Sequence, residues 1–120
     1  LFGVQAAGCA PLYHSWSTGR TTAAAVVAAT PTPAEGIAIA RPMRGAQILA
    51  AVKASGGEMV AVDDDCIRRA WREMAQKGFY IEPTAAAAIA GVQEILKTWD
   101  DSKTVLTAFT GHGLKWNKPV

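Results

Sequence analysis

The stretch Glu58–Gly91, EMVAVDDDCIRRAWREMAQKGFYIEPTAAAAIAG, decides the fold. Glu58–Val62 is a short apolar run of strand type. Asp63-Asp64-Asp65 then opens a helix to about Lys77, in which Ile67, Trp71 and Met74 recur at i, i+4 and i+7. Gly78 ends that helix, and Lys77 suits the negative end of its dipole. Phe79–Ile81 reads as a second short strand, and Glu82-Pro83-Thr84 leads into an alanine-rich helix with apolar positions at Ile89, Val92 and Leu96. Strand, helix, strand, helix in that order predicts right-handed crossovers and a parallel sheet.

Working outward, Arg44–Ser55 is helical by the spacing of Ile48, Leu49 and Val52, and Gly56-Gly57 stops it. Leu1–Gln5 is a strand candidate, and Pro11 opens a short helix to about Trp16. Ser17–Pro33 is rich in small and polar residues and ends in TPTP, which no helix can continue, so it reads as a long loop, or as a mobile helix followed by a turn. Asp100-Asp101-Ser102 is a turn before a last strand, Lys103–Phe109, and Thr110-Gly111-His112-Gly113 follows it. The expected fold class is α/β, a three-layer, open, mostly parallel sheet of about four strands with flanking helices.

Composition narrows the function. The chain has 120 residues, half of them apolar and 18% charged, which suits one domain with a buried core. A net charge of +2 gives no case for a nucleic-acid surface. The longest wholly apolar run is Ala23–Ala29, far short of the roughly 20 residues that cross a bilayer, so no membrane partner is expected. No signal peptide is visible. Cys9 and Cys66 form no CxxC pair, and a reduced, cytoplasmic setting is the expectation. The chain opens on LFGVQ, directly as a strand and without a Met, which predicts a piece of a longer polypeptide.

Ligands of open α/β sheets bind beyond the carboxyl ends of strands. That rule selects the loop after Gln5, the Glu82-Pro83-Thr84 junction and the loop after Phe109. Gly111 and Gly113 permit close approach to a ligand, and the Thr110 hydroxyl can donate or accept, although a plain turn reads the same. Glu82 is either a functional carboxylate or an acid near a helix N-terminus. The Asp63–Asp65 run is a helix cap rather than a metal site. His14 and His112 lack any zinc-ligand spacing, and no GxSxG elbow is present. Trp16, Trp71, Trp99 and Trp116 read as core or rim residues, and Arg68, Arg69 and Arg72 as a solvated face.

Five blocks, in order, carry a resemblance: GVQAAGCAPL (Gly3–Leu12), AEGIAIARPMRG (Ala34–Gly45), GGEMVAV (Gly56–Val62), KGFYIEPTAAAAIAG (Lys77–Gly91) and TGHGLK (Thr110–Lys115). Together they resemble the C-terminal portion of fold-type-II pyridoxal-phosphate enzymes, the tryptophan synthase β superfamily, and within it threonine synthase and threonine-synthase-like proteins. The resemblance implies that residues 1–120 are the C-terminal part of the cofactor-binding large domain. It implies pyridoxal 5'-phosphate as cofactor and a small amino-acid substrate, O-phosphohomoserine, converted with water to threonine and phosphate. It also implies that Thr110 meets the pyridine nitrogen, that Gly111 and Gly113 let the loop lie against the ring, and that Glu82 lines the cofactor cleft. A neutral hydroxyl at that nitrogen does not favour its protonation, so the ring is a milder electron sink.

The departures are equally specific. The family's Schiff-base lysine lies in a Ser-x-Lys block, and this sequence has none. Lys53, Lys77, Lys97, Lys103, Lys115 and Lys118 all sit in other contexts. The glycine-rich phosphate loop is also absent. No catalytic residue is therefore assigned, and these residues alone are expected to be inactive. Ala34-Glu35-Gly36 resembles the acid-glycine block of threonine dehydratases and serine racemases, which keeps a dehydratase or racemase as the alternative reaction. Glu35 alone makes no metal site, and none is expected. A reading of another class is a non-catalytic domain that binds a partner or self-associates, for example as a homodimer, through exposed strand edges.

Overall fold

The computed structural model describes residues 1–23, 30–99 and 104–116. Strand β1 (Phe2–Ala6) pairs in parallel with β2 (Glu58–Val62), Phe2 opposite Glu58 and Ala6 opposite Val62. Helices α1 (Pro11–Ser17) and α2 (Gly45–Ala54) lie between them in sequence. Helices α3 (Asp64–Gln76) and α4 (Pro83–Leu96) follow β2.

Strand periodicity sorts the side chains into two layers. Met59 faces α1 and α2, where it joins Leu12, Leu49 and Val52. Val4, Ala6, Val60 and Val62 face α3 and α4, in a larger cluster with Ile67, Ala70, Met74, Ile81 and the alanines of α4. The result is a helix–sheet–helix sandwich of α/β class, with a parallel sheet as the sequence implies.

Helix boundaries follow their chemistry. Asp63 is the N-cap of α3 and accepts from the Cys66 amide at 2.7 Å. Gly78, at φ 86°, carries the chain out of α3 through left-handed geometry. The α1 N-terminus has an unexpected cap. The buried side chain of Gln5 accepts from the amides of Leu12 at 2.9 Å and Tyr13 at 3.0 Å. A glutamine within a strand thus satisfies two of the free donors of the next helix.

One expectation is refined and two change. Of the apolar positions expected on α4, Ile89 is partly buried and packs against the larger cluster, whereas Leu96 is exposed; the fully buried face is Ala85, Ala86, Ala87, Ala90, Gly91 and Ile95. Small residues let this helix approach the sheet closely, and Gly91 lies directly over Val4. Phe79–Ile81 is not a strand; Ile81 alone forms an isolated antiparallel bridge, to His112. The described part of the expected last strand, residues 104–109, forms no ladder, so the described sheet has two strands instead of about four. The physical reason is the missing neighbour: an open crevice separates this segment from β1. The turn expected at Asp100-Asp101-Ser102, and most of the Ala23–Ala29 run, lie outside the described residues.

Candidate cofactor-facing site

Two of the three places selected from the sequence converge. The Glu82 amide donates to the Gly111 carbonyl at 3.1 Å, and the Gly113 amide donates to the Tyr80 carbonyl at 2.9 Å. With the Ile81–His112 bridge, these bonds zip Tyr80–Glu82 against Gly111–Gly113. Both glycines are needed for that approach. A β-carbon at Gly111 would fall within the Glu82 carboxylate, and one at Gly113 would meet the Tyr80 ring at 2.7 Å. Tyr80 and His112 stack edge to face at 5.5 Å, as do Phe79 and Phe109 at 5.4 Å.

Glu82 is the N-cap residue of α4 by backbone geometry, and its carbonyl accepts from Ala85 and Ala86. Its carboxylate makes no capping bond. Helix initiation therefore does not use the charge, which stays against Gly111 near the positive end of the helix.

Thr110 is exposed and lines a crevice of about 450 Å³, which Thr84 and Ile37 also line. No sequence signal marks the tie behind this rim: the Gly36 amide donates to the Thr84 hydroxyl at 3.2 Å. That bond brings the Glu35-Gly36-Ile37 turn to the start of α4. The third place, the loop after Gln5, lies elsewhere. Ala7–Cys9 forms a single 3-10 turn, and the Gly8 carbonyl accepts from Thr30 at 3.1 Å.

The residues fit a flat, polar-edged ligand. Thr110 offers a hydroxyl at the crevice rim, and the small residues Thr84, Ala87 and Ala88 of α4 line the same crevice. Among the described residues, no three His, Cys, Asp or Glu side chains converge as metal ligands.

The α3 N-terminus carries a separate electrostatic pair. The Cys66 amide hydrogen bond, above all, holds Asp63 below the usual aspartate value of 3.8. A group with a lowered native value stabilises the fold fully above the ordinary value. Its contribution is lost as pH falls through the lowered one. The same contact pushes the Cys66 thiol above its ordinary value, first through the Asp63 hydrogen bond and then through burial. Asp63→Asn keeps an acceptor for the amide and removes the charge. We expect Cys66 to alkylate severalfold faster in that variant at mildly basic pH, read by mass spectrometry of the Cys66 peptide. An unchanged rate would contradict the assignment.

The family model for pyridoxal-phosphate dependent enzymes matches residues 1–111, and the chain belongs to that family. Among curated proteins it is similar to the threonine synthase of Methanocaldococcus jannaschii, 33% identical over 120 residues. That match covers 96% of this chain and 29% of the relative. The threonine synthase of Mycobacterium tuberculosis is 34% identical, again over 96% of this chain and 30% of the relative. The chain thus spans about three-tenths of the length of these relatives. Among solved structures, the threonine deaminase of T.th. superposes with a TM-score of 0.66. It is 23% identical, with 82% of this chain and 35% of that one covered, and the likeness shows the fold.

Proposed function

We propose that this chain is the C-terminal part of the cofactor-binding domain of a threonine synthase, which forms threonine and phosphate from O-phosphohomoserine and water. The observation that carries the proposal is the match to threonine synthases along 96% of the chain. The Thr110 rim, beside the Glu82–Gly111 contact, supports it. When bound, pyridoxal 5'-phosphate supplies an electron sink for a carbanion on the substrate. In this reading the Thr110 hydroxyl would hold the pyridine nitrogen without charging it. Gly111 and Gly113, packed on Glu82 and Tyr80, would let their loop lie close beside the ring, and Thr84, Ala87 and Ala88 would line the crevice. Glu82 fixes the Gly111 loop by contact and by its backbone bond. The substrate is then a small amino acid, and the setting cytoplasmic.

The lysine that anchors the cofactor and the loop that holds its phosphate lie, in this proposal, outside these residues. The isolated chain is accordingly inactive. A graft tests the reaction: this chain replaces the matched portion of the M. jannaschii enzyme. The graft should release phosphate and threonine from O-phosphohomoserine. Thr110→Val should lower kcat at least roughly tenfold, as expected for loss of a group that tunes the ring, and should shift the cofactor absorbance. A graft that instead turns threonine into a 2-oxo acid and ammonia would establish the dehydratase reading suggested by Ala34-Glu35-Gly36.

A further inference from the structure

The segment Thr30–Ile37 crosses the end of the sheet at which ligands of α/β folds bind. Three hydrogen bonds fasten it there, each to a different element. The Thr30 amide donates to the Gly8 carbonyl, just past β1, at 3.1 Å. The Thr32 hydroxyl donates to Asp64 Oδ1, in the first turn of α3 just past β2, at 2.6 Å. The Gly36 amide donates to the Thr84 hydroxyl, in the first turn of α4, at 3.2 Å. The segment is thus a strap that links the loop after β1 to the start of α4.

The middle of the strap is its firmest point. Thr32 is 7% exposed and Ala34 0%. One hydroxyl serves two partners: it donates to Asp64 and accepts from the Ala34 amide at 3.3 Å. The bond to the carboxylate has the short length of a charge-assisted pair. Pro31 and Pro33 flank Thr32. They disfavour helical geometry at Thr30 and Thr32 and remove two donors that other turns would use.

The residue that Thr32 holds is also the one that starts the next turn. The Ala34 carbonyl accepts from the Ile37 amide at 3.1 Å, which closes the Glu35-Gly36-Ile37 turn. Glu35 and Gly36 are exposed, and Ile37 lines the crevice that Thr84 and Thr110 also line. The two neighbouring acids at the start of α3 have different partners. Asp63 accepts from the Cys66 amide and caps the helix, whereas Asp64 accepts from the strap.

We propose that Thr32 is a positioning residue, which together with Asp64 sets the Glu35-Gly36-Ile37 turn as a wall for the amino-acid substrate. The Asp64 carboxylate orients the hydroxyl, the hydroxyl holds the Ala34 amide, and Ala34 starts the turn. Thr84 fastens the turn from its other side. Thr32 and Asp64 act through the backbone and touch no substrate themselves. The inference rests on reading the site as one for pyridoxal 5'-phosphate and a small amino acid, whichever of the two reactions it performs.

Threonine is the product of one reaction named above and the substrate of the other, so it is the probe for both. In the native, cofactor-loaded protein, titration of the cofactor absorbance with threonine gives its dissociation constant. Thr32→Val keeps the size and removes the hydroxyl. It should raise that constant roughly tenfold and leave the affinity for pyridoxal 5'-phosphate within about twofold of the parent. Thr32→Ser keeps the hydroxyl and should bind threonine within about threefold of the parent. Asp64→Ala should weaken threonine binding as Thr32→Val does, and the two together should be no worse than either alone, because each removes the same bond. Should Thr32→Val not fold, Asp64→Ala, at a half-buried position, carries the same comparison of threonine with cofactor. A lower melting temperature with unchanged threonine affinity would make Thr32 a structural residue and overturn the inference. Equal losses of threonine and cofactor affinity, additive effects of the two substitutions, or a Thr32→Ser protein as weak as Thr32→Val would overturn it too. So would a parent protein whose absorbance does not respond to threonine. None of these readouts identifies a product, so the reaction proposed above stands or falls separately.

Discussion

Ile67→Ala should lower the stability of this chain by about 3 kcal/mol, measured as a shift of the urea midpoint at unchanged slope. Ile67 is fully buried, at 0% exposure, and is the largest side chain with that burial. It projects from α3 into the cluster formed by Val62, Ala70, Met74 and Ile81, under the alanines of α4. Truncation removes apolar contact and leaves a void that alanine neighbours, having no flexible side chains, cannot fill. Leu96→Ala is the contrast. Leu96 stands in a comparably apolar part of the sequence but is 49% exposed. Its truncation should change stability by no more than about 0.5 kcal/mol. Equal effects of the two substitutions would mean that the α3–α4 layer is packed differently.

Gly91→Ala sets two effects against each other. In an open helix interior, the change gains about 1 kcal/mol of helix propensity. Here a β-carbon would overlap the Val4 methyl groups and stand 3.2 Å from the Val4 β-carbon, so a rotamer change alone does not clear it. Helix and strand must separate, at a cost of about 1–3 kcal/mol typical of overpacking. We expect a net loss of up to about 2 kcal/mol. Val4→Ala should relieve it, so the double variant should be more stable than the sum of the single effects predicts by at least about 1 kcal/mol. Additive single effects would show that α4 does not rest on β1 at this point.

Much of the fold was legible because the relevant signals were local. The Asp63 cap, the Ile67–Trp71–Met74 spacing and the Gly78 stop mark α3 without reference to the rest of the chain. The α4 docking face was only partly legible, for a physical reason. Hydrophobic spacing singles out Ile89, Val92 and Leu96, whereas close packing on a sheet selects Ala86, Ala90 and Gly91, whose small size carries little periodic signal. The two missing strands have another cause. Whether Phe79–Ile81 and residues 104–109 form ladders depends on neighbours, and apolar composition gives no neighbour.

The site was partly legible. Glu82 and Thr110–Gly113 were selected as the ends of strand-like runs, and hydrogen bonds from Glu82 to Gly111 and from Gly113 to Tyr80 bring the two segments together. The Gly36–Thr84 bond spans 48 residues and left no mark in the sequence. The Gln5 cap of α1 was equally invisible, since a strand glutamine has no helix-capping pattern.

The central claim is that these residues contribute the ring-facing rim of a pyridoxal-phosphate site, whose anchoring lysine lies elsewhere in the polypeptide. Borohydride reduction of the native protein, followed by intact mass and peptide mapping, tests it most directly. The account predicts one phosphopyridoxyl group, on a lysine outside residues 1–120. A label on Lys53, Lys77, Lys97, Lys103, Lys115 or Lys118, or no label in protein saturated with the cofactor, would contradict it.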